Sequence, residues 1–416
     1  MTRICAAEEM DGKVSEPFKK GRKISVLSAG SMFIGCFANL RLEGTVPVMP
    51  HTKSTAIDLF CGCGGMSWGL QSGGYDVRLG VDINKKYIPS FEKNFGSERT
   101  WLVDLNEVSG SDLLNKSGLG KGELDILVGG PPCQGFSKNV PRKYRHIDSD
   151  NNKLVKTFLR ICEETSPSKV VMENVAEMRN GFESVYANEV IERLSDLGYH
   201  VIHDVFNAAD YGIPQRRKRA FFLASKVKKP VHPKPTHSNA ERDLNSLFRL
   251  KPWVTVWEAI GDLPNLTHTD RPAEIAYRSE PFSEFQQIMR GNGKKVTNHI
   301  ARTLAAIQHE RLSSIGPGQS HADLPPHLQV KGGYSGVYGR LSKEMVAPTI
   351  TRWVFHPGGG RWGHPEDIRT ITPRETARLQ SFSDDFEFVG SYNDICGQLG
   401  NAVPPLLMEA ILRAFH

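Results

Sequence analysis

Thr55-Ala56-Ile57-Asp58-Leu59-Phe60-Cys61-Gly62-Cys63-Gly64-Gly65 reads as a short apolar strand running into a glycine-rich turn, and Met66–Ser72 continues it as a helical pattern. Glycines at a strand-to-helix turn let the backbone approach a ligand, and the helix beyond them offers unpaired N–H groups. Outward from this unit the alternation repeats. Val77–Ile83, Thr100–Leu105, Asp125–Gly130 and Lys169–Val175 are β-rich runs, and Tyr199–Asn207 and Arg219–Ser225 close the series. Asn84–Phe95 and Ser184–Leu197 carry helical patterns between them. This order predicts an α/β fold with a doubly wound, mixed sheet.

Around that core the chain divides. Residues 1–53 are expected to be a poorly ordered extension: Lys19, Lys20, Arg22 and Lys23 precede a run that Ser28, Gly30 and Gly35 break, which does not make an export signal. Met49 could be the working start. Residues 54–225 form the expected catalytic and cofactor-binding domain. From 226 to 339 the pattern dissolves into proline-punctuated and glycine-rich segments, as a smaller, irregular domain would read. Residues 340–416 regain order and are expected to return to the first domain. Thr372–Phe382 predicts a helix with a Thr cap and Pro373 at its first position.

Composition narrows the function classes. Of 416 residues, 39% are apolar and 24% charged, which excludes a disordered or fibrous chain. A net charge of +6 permits a polyanionic partner without demanding one. Seven cysteines in a chain of this length make no disulfide framework and point to a reducing compartment. There is no uninterrupted apolar stretch of membrane-spanning length.

The ligand of the first turn is not a dinucleotide. That fingerprint wants a third glycine where Ser67 stands. Asp58, Asp82 and Asp104 place a carboxylate at the ends of three successive strands, which would repel a pyrophosphate and suits a nucleoside cofactor without one. S-adenosylmethionine fits that description and NAD does not. No metal site is expected. Cys61 and Cys63 lack ligand spacing and a second pair, and His232, His237, His356 and His364 lie in loop-like sequence.

Gly129-Gly130-Pro131-Pro132-Cys133-Gln134-Gly135-Phe136-Ser137 comes directly after the fourth strand. Two glycines and two prolines build a rigid turn that presents Cys133 at the carboxyl edge of the sheet, where open α/β sheets bind ligands. Free cysteines are usually buried, but such a turn is a poor core element, so a nucleophile is the sharper reading. The basic run Lys138, Arg142, Lys143, Arg145 and His146 lies just beyond it.

With these residues in view, the chain resembles the DNA (cytosine-5)-methyltransferase family. Gly130–Ser137 is similar to its Pro-Cys motif, Met172–Val175 to its Glu-Asn-Val motif and Gln215–Arg219 to its Gln-x-Arg-x-Arg motif. Arg340–Thr351 and Gly400–Pro405 resemble the two closing motifs, in family order. The resemblance covers Thr55–Ser225 and the stretch from Arg340 to Phe415. It implies a Rossmann-like class I S-adenosylmethionine-dependent methyltransferase fold with a target-recognition domain in the middle region.

The implied chemistry needs these residue types. C5 of cytosine is a poor nucleophile until a thiolate adds at C6, and Cys133 is the implied thiol. Glu173 is implied at N3 of the base, protonated enough to donate. Arg219 is implied at O2, with Arg217 as its structural or phosphate-contacting neighbour. Water is expected to take the C5 proton. On the cofactor side the resemblance implies Phe60 near the adenine, Asp82 at the ribose and Asp104 at the adenine amino group. Asp58, Gly62, Gly64, Gly65 and Pro131 would line the pocket, with Asn401 and Val403 completing it.

Double-stranded DNA is the expected partner, with the target base flipped out of the stack. Eleven cations of the middle region, among them Arg271, Arg278, Arg290, Arg302 and Arg311, are interspersed with Trp253, Trp257, Tyr277, Phe282 and Tyr334 as candidate DNA contacts. A tRNA substrate and an inactive DNA-binding relative stay open at this level. A cytoplasmic, nucleoid-associated monomer with a cognate restriction endonuclease as functional partner, and no membrane association, is the expected setting.

Overall fold

The computed structural model describes residues 54–132, 153–180, 185–239, 250–291, 293–332 and 335–416. Seven strands make the central sheet: β1 (Thr55–Leu59), β2 (Asp76–Asp82), β3 (Thr100–Leu102), β4 (Ile126–Gly129), β5 (Lys169–Val175), β6 (His200–Asn207) and β7 (Lys218–Ser225). Their order is 3-2-1-4-5-7-6, parallel through β5, with β7 antiparallel to both β5 and β6. The mixed, doubly wound sheet expected from the alternation is therefore present. β3 stops at Leu102, three residues short of expectation, so Asp104 lies in the turn beyond it.

Side chains alternate between two cores, as the pleat requires. Val171 of β5 and Phe221 and Leu223 of β7 enter one apolar cluster with α1 (Gly65–Ser72) and α2 (Ile88–Phe95). Val170, Met172, Phe222 and Ala224 enter the other, against α3 (Gly110–Ser117), α4 (Lys153–Thr165) and α6 (Val185–Asp196), which comes after the short α5 (Glu177–Asn180). Gly80 in β2 is required by packing, because a Cβ there would lie 2.1 Å from the Phe91 ring.

Beyond β7 the chain builds α7 (Val256–Ile260), α8 (Glu284–Arg290) and α9 (Ala306–Ser313), then α10 (Pro373–Leu379), α11 (Tyr392–Asn401) and α12 (Pro405–Leu412). A third cluster joins Val256, Ile260 and Phe285 to Leu341, Trp362, Ile371 and Cys396, so the middle region and the stretch after it share one core. The C-terminal stretch ends in two helices, α11 and α12. α12 lies so close to α1 that a Cβ on Gly69 would meet the Pro405 carbonyl at 2.5 Å. Among the described residues, Tyr392–Phe415 alone has the length and apolarity of a membrane span, and most of it is buried inside the protein.

Helix α10 is buried at every residue. It begins as expected: the Thr372 hydroxyl accepts from the Glu375 N–H (3.1 Å), Glu375 accepts from the Thr372 N–H (2.7 Å), and Pro373 takes the first position. Burial of its charged residues is matched by partners. Arg369 grips Glu375 through two bonds of 2.7 Å, and Arg374 donates to the carbonyls of Thr297, Ser383 and Phe386. Arg378 donates to both oxygens of Asp384 (2.7 and 2.6 Å) and to Asp262 (3.2 Å).

Candidate active site

Asp58 is the penultimate residue of β1 and is fully buried. Its Oδ2 accepts from the Ser67 hydroxyl at 2.6 Å, while its Oδ1 is buried with no partner among the described residues. Ser67 is thus more than an absent glycine: it ties the first turn of α1 to the strand end. Burial lifts the Asp58 carboxyl to about 7, against the pull of the Ser67 bonds. A folded-state value above the ordinary one near 4 means that the native protein keeps a proton the unfolded chain releases. Stability from this group is present at low pH and lost as pH rises from about 4 to about 7. Asp58→Asn should remove that loss. Melting temperatures at pH 5, 6, 7 and 8 should show the variant gaining on the parent up to about pH 7 and level above it; a constant difference would refute the assignment.

The turn after β1 is built by left-handed residues: Phe60 at φ 59°, Gly62 at 57° and Gly64 at 102°. Of its glycines only Gly62 faces open space. A Cβ on Gly64 would strike Phe95 at 2.7 Å, and one on Gly65 would strike the Val403 carbonyl at 2.3 Å. At Gly64 and Gly65 the missing side chain makes room for neighbouring parts of the chain, and at Gly62 it leaves open space. Asp82 accepts from the Gly62 N–H (2.8 Å) and the Asn84 N–H (2.7 Å), and burial pushes its carboxyl up. Asp104 accepts from the backbone and side chain of Asn106, both at 2.9 Å. Ile83 and Leu102, 62% and 43% exposed, present aliphatic surface at the carboxyl ends of β2 and β3.

At the other end of the site β4 delivers Gly129-Gly130-Pro131-Pro132 beside β5. Cys133 and the basic run after it lie outside the described residues, which stop at Pro132 and resume at Lys153. The Gly130-Pro131 segment is tied to β5 by Asn174, whose Nδ2 donates to the Pro131 carbonyl at 3.1 Å while its Oδ1 accepts from the Val175 N–H. Glu173 and Asn174 are consecutive in a strand, so they point to opposite faces. Glu173 faces Gly130, where a Cβ would sit 3.1 Å from its Oε2. Arg219 pairs with the other oxygen, Nε to Oε1 at 2.9 Å, with both side chains nearly buried. Burial pushes the Glu173 carboxyl up, and the Arg219 and Arg217 guanidiniums oppose it.

The strand period divides Gln215–Arg219. Gln215, Arg217 and Arg219 turn inward while Arg216 and Lys218 are exposed. Arg217, expected among the catalytic residues as a structural or phosphate-contacting neighbour, takes the structural part alone. It is buried and donates to the carbonyls of Ile350 (3.0 Å), Gly400 (3.2 Å) and Ala402 (2.9 Å), which leaves it out of reach of a phosphate. Gln215 is equally internal, accepting from the Ile350 N–H (2.8 Å) and donating to Gln380 (2.9 Å). Val403 contributes its backbone at Gly65, and Asn401 is exposed at the end of α11.

Several middle-region cations have partners within the protein, most of them at its surface. Lys251 pairs with Glu284, Arg278 with Glu366 and Lys295 with Glu274, while Arg290 lies 3.7 Å over the Tyr277 ring. Trp253 donates to Asp210 at 2.9 Å. Arg242 and Arg249 lie outside the described residues.

The family model of the C-5 cytosine-specific DNA methylases matches residues 54–416. The Type II methyltransferase M1.HphI of Haemophilus parahaemolyticus is 33% identical over 364 residues, covering 86% of this chain and 86% of its own. The Type II methylase M.HgiDII of Herpetosiphon aurantiacus is 32% identical over 373 residues, covering 86% and 94%. Among solved structures, a DNA modification methyltransferase encoded within a prophage (E. coli) superposes with a TM-score of 0.69 at 25% identity, covering 87% of this chain and 98% of that one.

Proposed function

This chain belongs to the C-5 cytosine-specific DNA methylase family, and on that premise we propose that it methylates C5 of cytosine in duplex DNA through Cys133, Glu173 and Arg219, with S-adenosylmethionine as methyl donor. DNA is preferred to the tRNA and inactive-scaffold readings left open by sequence, because the matched family is that of cytosine-specific DNA methylases and the two relatives are named a Type II methyltransferase and a Type II methylase. The observation that carries the assignment is the Glu173–Arg219 pair at 2.9 Å, facing the Gly130 turn that leads to Cys133.

C6 of a stacked cytosine is inaccessible, so the base must leave the helix. The Cys133 thiolate then adds to C6, and the electron pair of the C5–C6 bond moves towards C5. Glu173 donates to N3 as charge builds on the ring, and Arg219, held by the same carboxylate, faces O2. S-adenosylmethionine supplies an electrophilic methyl group to the activated C5. Loss of the C5 proton to water and departure of Cys133 restore the aromatic ring. The residues present fit that donor. Asp58 keeps a buried oxygen without a partner, Gly62 opens to solvent, and Ile83 and Leu102 offer apolar surface to a planar ring. Phe60 and Asp82 would hold the nucleoside, with Asp104, Pro131, Asn401 and Val403 around it.

Residues 226–339 are assigned to reading the target sequence, and modification beside a cognate restriction endonuclease fits the Type II names of the relatives. A monomer at the nucleoid suits a substrate that is chromosomal DNA. Glu173→Gln tests the centre. The amide cannot give up a proton to N3, so turnover should fall on the order of 10²- to 10³-fold with the donor affinity unchanged. In the parent, turnover falls as pH rises through the elevated Glu173 value, because the protonated acid is the working form. The variant should lack that limb. Parental turnover in the variant would remove Glu173 from the mechanism.

A further inference from the structure

Beyond Ile350, whose carbonyl helps to anchor Arg217, the chain makes a tight turn with an unusual surface. Ile350 is bonded on both sides, its N–H to Gln215 (2.8 Å) and its carbonyl to Arg217 (3.0 Å). Arg352 then passes Gly400 so closely that a Cβ there would lie 2.2 Å from its backbone nitrogen. The turn is rigid. Val354 donates to the Thr351 carbonyl (3.1 Å), His356 to the Trp353 carbonyl (3.0 Å), and Val354 is fully buried beneath. Gly359 is needed there, since a Cβ would meet the Trp353 carbonyl at 2.6 Å.

This turn holds Trp353 outward, 51% exposed. The Arg352 guanidinium lies 5.0 Å from its ring, the Phe355 ring lies 5.7 Å from it at a tilt of 45°, and Arg302 lies 4.9 Å over Phe355. Arg302 is fixed there by a bond to the Phe355 carbonyl (3.0 Å). The result is a ladder of cation, aromatic, aromatic and cation. Neither arginine has a carboxylate partner among the described residues, unlike Arg278, Lys251 and Lys295. Exposing a tryptophan on a rigid turn between two unneutralised guanidiniums serves no packing purpose. It matches what a nucleic acid binds: a flat face for a base and charge for the flanking phosphates.

We propose that Arg352, Trp353, Phe355 and Arg302 form a DNA-contact ladder beside the reaction site, in which Trp353 stacks on a base left open when the target cytosine leaves the helix. Arg352 and Arg302 hold the phosphates on either side. Trp353 is here a positioning residue, and its role rests on the DNA-methylating reading of the same site.

The test uses the full chain, unmethylated plasmid DNA and methyl-labelled S-adenosylmethionine. Trp353→Ala should raise KM for DNA about tenfold, with Trp353→Phe within about twofold of the parent. Calorimetric affinity for S-adenosylmethionine and the melting temperature should not move. Arg352→Gln should lower the slope of log Kd for plasmid DNA against log salt by about one. A parental KM in Trp353→Ala, or a parental slope in Arg352→Gln, overturns the proposal. Parallel loss of S-adenosylmethionine affinity also overturns it and assigns the turn to the cofactor entrance. If Glu173→Gln left turnover intact, the reaction-site assignment would fail while DNA binding by the Trp353 variants would still be read.

Discussion

Cys133→Ser should lower methyl transfer to DNA on the order of 10⁴-fold or more while leaving binding of S-adenosylmethionine and DNA within a factor of a few. The hydroxyl is far less acidic than a thiol and a weaker nucleophile towards C6, so the ring never gains the electron density that C5 needs. The loss should be confined to the chemical step, because the Gly130-Pro131 segment before residue 133 is tied to β5 by the Asn174 bond to the Pro131 carbonyl. A second readout isolates the covalent step. DNA carrying 5-fluorocytosine cannot release a C5 proton, so the parent should remain attached to it through denaturing electrophoresis and the variant should not. Comparable turnover by parent and variant, or an equally durable adduct in both, would sink the assignment.

Arg378→Met should cost roughly 3–5 kcal/mol, the usual result of removing one member of a buried, hydrogen-bonded ion group. The methionine fills much of the volume but leaves Asp384 and Asp262 buried together without the guanidinium that both now share. Burial raises the Asp384 carboxyl and the Arg378 bonds and charge bring it below its ordinary value, so without Arg378 only Arg374 and Tyr277 offset the cost of burying that charge. A drop on the order of 10 °C in melting temperature is expected for a protein of this size. Adding Asp384→Asn should recover part of it, since one of the stranded charges is then gone. An unchanged melting temperature would show that the charge cluster at α10 contributes nothing to stability.

Cys133 and Arg378 differ in how far local sequence reveals them. Cys133 stands out because Gly-Gly-Pro-Pro at a strand end has few uses besides presenting the next side chain. Arg378 looks like any arginine on a helix. Its burial comes from α10 being enclosed on all sides, and no local pattern announces that. The same contrast separates Arg219 from Arg217. Alternation along the strand turns both inward, but only contact with Glu173 makes one a site residue, while carbonyls 133 to 185 positions away make the other a tie. The glycines of the first turn divide likewise: a side chain at Gly62 would meet open space, whereas one at Gly64 or Gly65 would meet Phe95 or Val403.

The kind of sheet and the strand ends that carry carboxylates were determined by the sequence alone. Those depend on the two-residue period of strands, the backbone limits of glycine and proline, and side chains within a few positions of one another. Only the tertiary structure decided which polar groups are spent inside the protein and which remain for a ligand. Burial and pairing are made by segments far apart in the chain, and a charged side chain acts according to the partner it meets.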